Sequence, residues 1–216
     1  MEESTSREKI FKKIRDALIN KSDNPYQVKD WSTSVFARLE DSLNVSFTKE
    51  FTRIGGKFIY CESETDFVAS FRQFINDFPG EIPVCTDQGL IQVFEENSIH
   101  VKQELEDADD LKIGITRCEY LIARLGSIMV SSAHESGRRL NVYPEIHVVV
   151  AHPSQIVPDM KDALSAIRKK YNNKLPSMIT SIAGPSRTAD IEKTLVMGAH
   201  GPKELYLFLI EDRNLK

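Results

Sequence analysis

Cysteine is scarce. Cys61, Cys85 and Cys118 are the three the chain has, far apart, with no C-x-x-C pair and no ferredoxin-like run. That scarcity argues against an iron–sulfur cluster held by this chain alone, and leaves the thiols as small buried hydrophobes. Long apolar runs are missing too: nothing approaches the roughly 20 residues of a membrane helix. The N-terminus carries acids and no apolar core, so the expectation is a cytoplasmic chain without a secretory signal. Positive charge is not in excess. A net charge of -4 and a pI near 5.8 speak against a broad nucleic-acid footprint and for small molecules or proteins as partners. G-x-S-x-G, the P-loop, H-E-x-x-H and G-x-G-x-x-G are all absent, which removes support for the readily recognised hydrolase, nucleotide and zinc mechanisms. The closest pair of histidines, His147 and His152, would face opposite sides of one extended strand, so no metal site is expected. The acid run Glu104 to Asp110 lacks the spacing and glycine of a calcium loop and reads as a solvated loop.

What is present suits one main domain with a small appended element. The chain has 216 residues, 28% charged and 41% hydrophobic, a length that buries about 70% of its unfolded surface. Arg7 to Asn20 spaces Ile10, Ile14, Ala17 and Leu18 by three and four between basic residues, predicting an amphipathic helix. Asn20 to Ser34 breaks the periodicity and reads as a linker, so the division falls into residues 1–31, a helical arm, and 32–216, the main domain. Val35 to Ile54 predicts a long helix stopped by Gly55-Gly56. Lys57 to Cys61 predicts a strand, Ser63-x-x-Asp66 caps a helix reaching Phe78, and Ile82 to Cys85 predicts another strand before Thr86-Asp87-Gln88-Gly89. Ile113 to Thr116 reads as a strand, Arg117 to Tyr120 as a turn, and Leu121 to Ser132 as strand, kink and strand about Gly126, where a backbone or ligand can come close. Ile146 to Ala151 predicts a central strand and Pro158 to Tyr171 a crossover helix with cations in its last turn. Such alternation implies a layered α/β structure with a mostly parallel sheet and flanking helices.

The stretch from Leu175 to Ile210 holds the candidate site. Met178 to Ala183 predicts a strand closed by Gly184-Pro185. Ser186 or Thr188 can cap a helix with Asp190 and Glu192 in its first turn, and Arg187 adds donors at that end, outlining an anion pocket. His200-Gly201-Pro202-Lys203 forms a second polar turn before the strand Leu205 to Ile210. Scaffold and ligand site are both open on this spacing.

The block Ala183-Gly-Pro-Ser-Arg-Thr-Ala-Asp-Ile-Glu192 followed by Gly198-Ala-His-Gly-Pro-Lys203 resembles the signature of the LUD domain family, supported upstream by Gly114-Ile115-Thr116, Gly126-Ser127 and the Gly137 to Pro144 segment. The resemblance implies a fold like those of ribose-5-phosphate isomerase, glucosamine-6-phosphate deaminase and the CoA transferases. It marks Gly184, Ser186, Arg187, Thr188, Asp190, His200, Gly201, Lys203, Gly126 and Ser127 as candidate ligand-binding residues. Where many members read Ile-Ala-Glu-Thr-Gly-Thr, this chain has Arg124 and Leu125, and an arginine cannot serve as nucleophile or general base. The resemblance further implies an accessory or substrate-side part of a cytoplasmic system that oxidises L-lactate to pyruvate. Its iron–sulfur clusters would sit in partner proteins, and this chain would hold a small carboxylate or phosphate and no metal of its own. A free-standing enzyme on an anionic sugar phosphate or CoA thioester is the alternative.

Overall fold

The computed structural model of the chain describes residues 5–19, 36–104, 111–191 and 194–212. The chain divides into two compact units, Met1–Arg38 and Leu39–Lys216. The first carries α1 (Ser6–Ile19), the amphipathic helix expected there, which buries none of its residues. The linker from Asn20 to Ser34, the division between residues 31 and 32, and the acid run from 105 to 110 lie outside the described residues.

The second unit opens with α2 (Leu43–Arg53), shorter than the helix expected from Val35. Asp41-Ser42 is a start signal inside the apolar periodicity: Ser42 takes the N-cap position, and Asp41 turns back to hold Lys49 at 2.7 Å. Then follow β1 (Lys57–Cys61), α3 (Glu64–Asn76), β2 (Val84–Cys85) and α4 (Gln88–Glu96). Ser63 Oγ accepts from Asp66 N at 3.1 Å, the cap its sequence announces. The helix α4 is an addition to the expected elements; Asp87 caps it, and Leu90, Ile91 and Phe94 form its buried stripe. Next come β3 (Ile113–Arg117), β4 (Tyr120–Ile122), β5 (Ser127–Ser131), β6 (Ile146–Ala151), β7 (Ile156–Val157) and α5 (Met160–Lys170). The chain then forms β8 (Ile179–Ile182), β9 (Arg187–Ile191), β10 (Thr194–Met197) and β11 (Glu204–Ile210).

Five strands make a parallel sheet in the order β1-β11-β6-β3-β2, and four more make a mixed sheet in the order β7-β4-β5-β8. The pleat sorts the central strands between two cores. Val148, Val150, Phe208 and Ile210 face α3 and α4, where Phe67, Phe71, Phe74 and Phe94 cluster. Val149, Ala151, Leu207 and Leu209 face α2 and the smaller sheet, meeting Phe47, Phe51, Leu121 and Ile128. The far side of the smaller sheet packs on α5 through Ile122, Met129, Ala163 and Ile167. Each fully buried large apolar side chain contributes about 1.5–3 kcal/mol. With β6 and β11 covered on both faces, these two strands form the centre of the second unit, as their unbroken apolar runs imply.

Between β8 and β11 the structure corrects the expected helix. Arg187–Ile191 and Thr194–Met197 pair antiparallel as a hairpin, with Met197 opposite Arg187 and Val196 opposite Thr188. Thr188, Ile191, Thr194 and Val196 are β-branched and favour the extended chain over the few helical turns the segment could form.

Candidate functional site

The signature folds at the amino ends of the parallel strands. Ser186 N donates to Pro202 O at 2.8 Å and Gly198 N to Ser186 O at 2.9 Å, which ties the two polar turns together. An added Cβ on Gly201 would lie 3.3 Å from Ser186 Cβ. Lys203 reaches Glu145 Oε1 at 3.2 Å, and Lys112 holds the other oxygen of that carboxylate at 2.5 Å. Arg187 Nη2 donates to Ile54 O at 3.1 Å, a carbonyl at the C-terminal end of α2. Gly184, at φ +89, passes so close to the same carbonyl that a Cβ there would lie 2.6 Å from it. Gly126 presses on the same helix: at φ +60, its Cβ would lie 2.2 Å from Phe51 N. What comes close to Gly126 is therefore backbone. Ser127 beside it is buried, and its hydroxyl has no hydrogen-bond partner among the described residues. Thr188 is half-buried on β9, His200 is exposed in the turn before β11, and the side chain of Asp190 lies outside what is described. Ser186, Gly201 and Lys203 thus lie where the two turns are tied, and Gly184 and Arg187 meet the end of α2, while no helix N-terminus stands among them to draw an anion.

Arg124, where many LUD members have a glutamate, is also accounted for. Its Nε lies 2.5 Å from Asp159 Oδ1, ahead of α5, and its backbone N donates to Pro158 O. It ties β4 to the start of α5.

At the opposite end of the parallel sheet lies a cavity of about 350 Å³. The distance is set by β11, whose seven residues run from the signature to the cavity wall, roughly 20 Å at about 3.3 Å per residue. This is the carboxyl end, where open α/β sheets take their ligands. Phe67 of α3, Leu90 and Val93 of α4, Val150 of β6 and Ile210 of β11 give it an apolar lining. Its polar groups come from strand ends and the residues just after them. Arg117 closes β3 and donates from Nε to Asp87 Oδ1 at 3.1 Å, leaving the paired terminal nitrogens of the guanidinium as a fork. Asp87 Oδ1 also caps α4 through Leu90 N at 3.0 Å. Gly89 leaves room for the guanidinium; a Cβ there would come within 3.3 Å of Arg117 Nη2.

His152 follows β6. Its Nδ1 lies 3.0 Å from the carbonyl of Ile210, and a carbonyl can only accept, so Nδ1 carries the hydrogen and the neutral ring keeps its lone pair on Nε2. Asp212 Oδ1 stands 3.9 Å from the same Nδ1, and Asp212 is itself held by Ser154 N at 2.8 Å and Ser154 Oγ at 2.9 Å. Glu211 accepts from Tyr60 OH at 2.6 Å, and Glu64 completes the charged rim. A fork-shaped cation and an oriented imidazole over an apolar floor can hold a carboxylate and a neighbouring hydroxyl. None of the signature residues lines this cavity. Arg117, His152 and Asp212 escape sequence reasoning because 35 and 60 positions separate them; the available signal is that each polar residue stands at the carboxyl end of an apolar strand.

A second polar cluster surrounds Glu119, whose side chain is fully buried. Ser131 Oγ donates to it at 2.5 Å, Tyr171 OH at 2.7 Å and Lys170 Nζ at 2.8 Å, while His134 Nε2 lies 3.3 Å away. Burial alone would raise its pKa, but His134, Lys170, Ser131 and Tyr171 together outweigh that and hold the carboxyl far below its usual range. The cluster joins the residue before β4 to β5 and α5.

Comparison with known proteins places this geometry. The LUD domain model matches residues 46–210. Lactate utilization protein C of Bacillus licheniformis is 32% identical over 124 residues, which are 56% of this chain and 52% of that protein. The protein of the same name from Bacillus subtilis is 34% identical over 123 residues, 56% of this chain and 51% of that protein. The chain therefore spans about half the length of these relatives. A DUF162 family protein from Deinococcus radiodurans shares the fold, with a TM-score of 0.59 at 16% identity over 78% of this chain and 96% of that one. The family model covers most of the second unit, both sheets and the signature between them: the chain belongs to the LUD domain family.

Proposed function

We propose that the chain works in lactate utilisation as a substrate-side subunit of a cytoplasmic system that oxidises L-lactate to pyruvate. It holds a small carboxylate in the carboxyl-end cavity and leaves electron transfer to iron–sulfur partner proteins. The relatives named lactate utilization protein C support the process. The observation that carries the site is the cavity itself, with the fork of Arg117 and the lone pair of His152 Nε2 on one apolar floor. In the signature turn, by contrast, Lys203 is paired with Glu145 and Arg187 caps α2.

The thiols support this division of labour. Cys61 and Cys85 lie in one core and Cys118 in the other; burial pushes the first up to about 11 and the other two up to about 12. Cluster ligands must be thiolates gathered around one site, and these residues do not fit that requirement. Among the described residues no group of three His, Cys, Asp or Glu side chains is placed to hold a metal.

Calorimetric titration with L-lactate and pyruvate tests the site. Arg117→Lys keeps the charge and loses the fork, so binding weakens, and Arg117→Ala weakens it further, by about 1.5–3 kcal/mol for a charge-assisted contact. Arg187→Ala leaves it unchanged. Binding that survives Arg117→Ala and disappears in Arg187→Ala would move the site to the signature turn. Co-purification with iron–sulfur proteins from cells grown on lactate tests the partnership.

A further inference from the structure

The cavity is large for a three-carbon acid. At about 350 Å³ it falls within the roughly 300–1,000 Å³ that accommodates drug-sized ligands. Lactate has one methyl to set against Phe67, Leu90, Val93, Val150 and Ile210. We infer that the cavity is built for a monoanionic 2-hydroxy acid whose apolar tail is longer than the methyl of lactate. The inference rests on the carboxylate site proposed above and names its substrate class.

Three features converge on that class. The Arg117 fork takes one carboxylate, and Asp87 already offsets part of its charge. Beside it stand Glu211 with its Tyr60 partner and Asp212 with its Ser154 contacts. Among the described residues these two carboxylates next to one guanidinium disfavour a second negative charge on the ligand, so a phosphate ester or a dicarboxylate is repelled where a monoanion is accepted. His152, with Nδ1–H fixed on Ile210 O, offers Nε2 as an acceptor for a hydroxyl. The apolar floor drawn from α3, α4, β6 and β11 lies beneath these groups and stays wet under so short an acid; an alkyl tail covers it.

The test is calorimetric titration of the full chain with L-lactate, L-2-hydroxybutyrate and L-2-hydroxyhexanoate, and with inorganic phosphate and L-malate. Affinity is expected to rise about fourfold per added methylene, the factor that corresponds to burying one CH₂, while phosphate and malate bind more weakly than lactate. Val93→Phe puts a ring into the floor from a half-exposed position and should abolish the gain in affinity with chain length. Equal affinity across the series, a fall from lactate onward, or tighter binding of the dianions would overturn the inference and leave the carboxylate site standing. If none of the acids binds, lactate included, both the inference and the site fall together.

Discussion

His147 is the residue whose surroundings most clearly set a condition on the fold. It is fully buried on β6, with Nε2 2.8 Å from Thr116 Oγ1 and no partner for Nδ1 among the described residues. Burial pushes its pKa down to about 4, against about 6.5 in an unfolded chain. The unfolded state therefore binds a proton through this window while the folded state does not. Stability falls as pH drops from about 6.5 to 4, by about 3 kcal/mol for this group alone. Glu119 acts in a lower window with the ordinary sign for a depressed carboxyl: its contribution is intact above about 4.3 and is lost as pH falls through its folded value. Melting temperatures of wild type and His147→Asn between pH 7 and 4 separate the two. The variant should melt lower at pH 7 yet show the shallower slope down to pH 4; parallel slopes would acquit His147. Gly126 sets a geometric condition instead. Gly126→Ala combines a left-handed φ with a Cβ against the α2 backbone, a misfit worth about 1–3 kcal/mol or more by overpacking alone. Thermal unfolding should show a drop of several degrees, and an unchanged midpoint would mean that α2 yields easily.

Among the elements, the arm and the hairpin mark the limits of pattern reading. The periodicity of α1 is that of a helix with an apolar face, yet Ile10, Phe11, Ile14 and Leu18 are all at least half exposed. Deleting the residues before Trp31 should leave a core that unfolds cooperatively, within about 1 kcal/mol of wild type, since α1 buries no side chain. Loss of a cooperative transition would place the arm inside the core. The strands β1, β3, β6 and β11 were legible because runs such as Ile146–Ala151 are both apolar and β-branched, and α3 because Ser63 and Asp66 stand at cap spacing. The hairpin was not, because Ser186, Thr188, Asp190 and Glu192 also make a plausible helix start. Tertiary contacts add to the β-branched residues against a helix: Ser186 N is engaged by Pro202 O and Arg187 by the end of α2. The signal of α4 is local as well, in the Asp87 cap and the Leu90, Ile91, Phe94 stripe, but at nine residues the helix is short.

At the scale of the whole molecule, fold class follows from alternation of elements, whereas the cavity depends on register that no local pattern contains. Arg117 and Val150 are Cα partners across β3 and β6, and His152 meets Ile210 only because β6 and β11 run side by side. A motif search looks for neighbours in sequence, and these are neighbours in a sheet.

The position of β11 has a bearing on how the chain comes to be folded at all. Among the described strands this one is made after the other ten, yet it sits between β1 and β6, paired by five partners to one and six to the other. Until residues 204–210 leave the ribosome, β1 has no neighbour in the sheet and β6 shows an open edge of Val and Ile to its surroundings. The contacts that close the sheet span most of the chain, with Lys57 joined to Tyr206, so the ordering cost falls due before the reward. The nascent chain thus passes through a long interval with both cores half built and an adhesive strand exposed, which makes chaperone binding during synthesis a natural need of this topology.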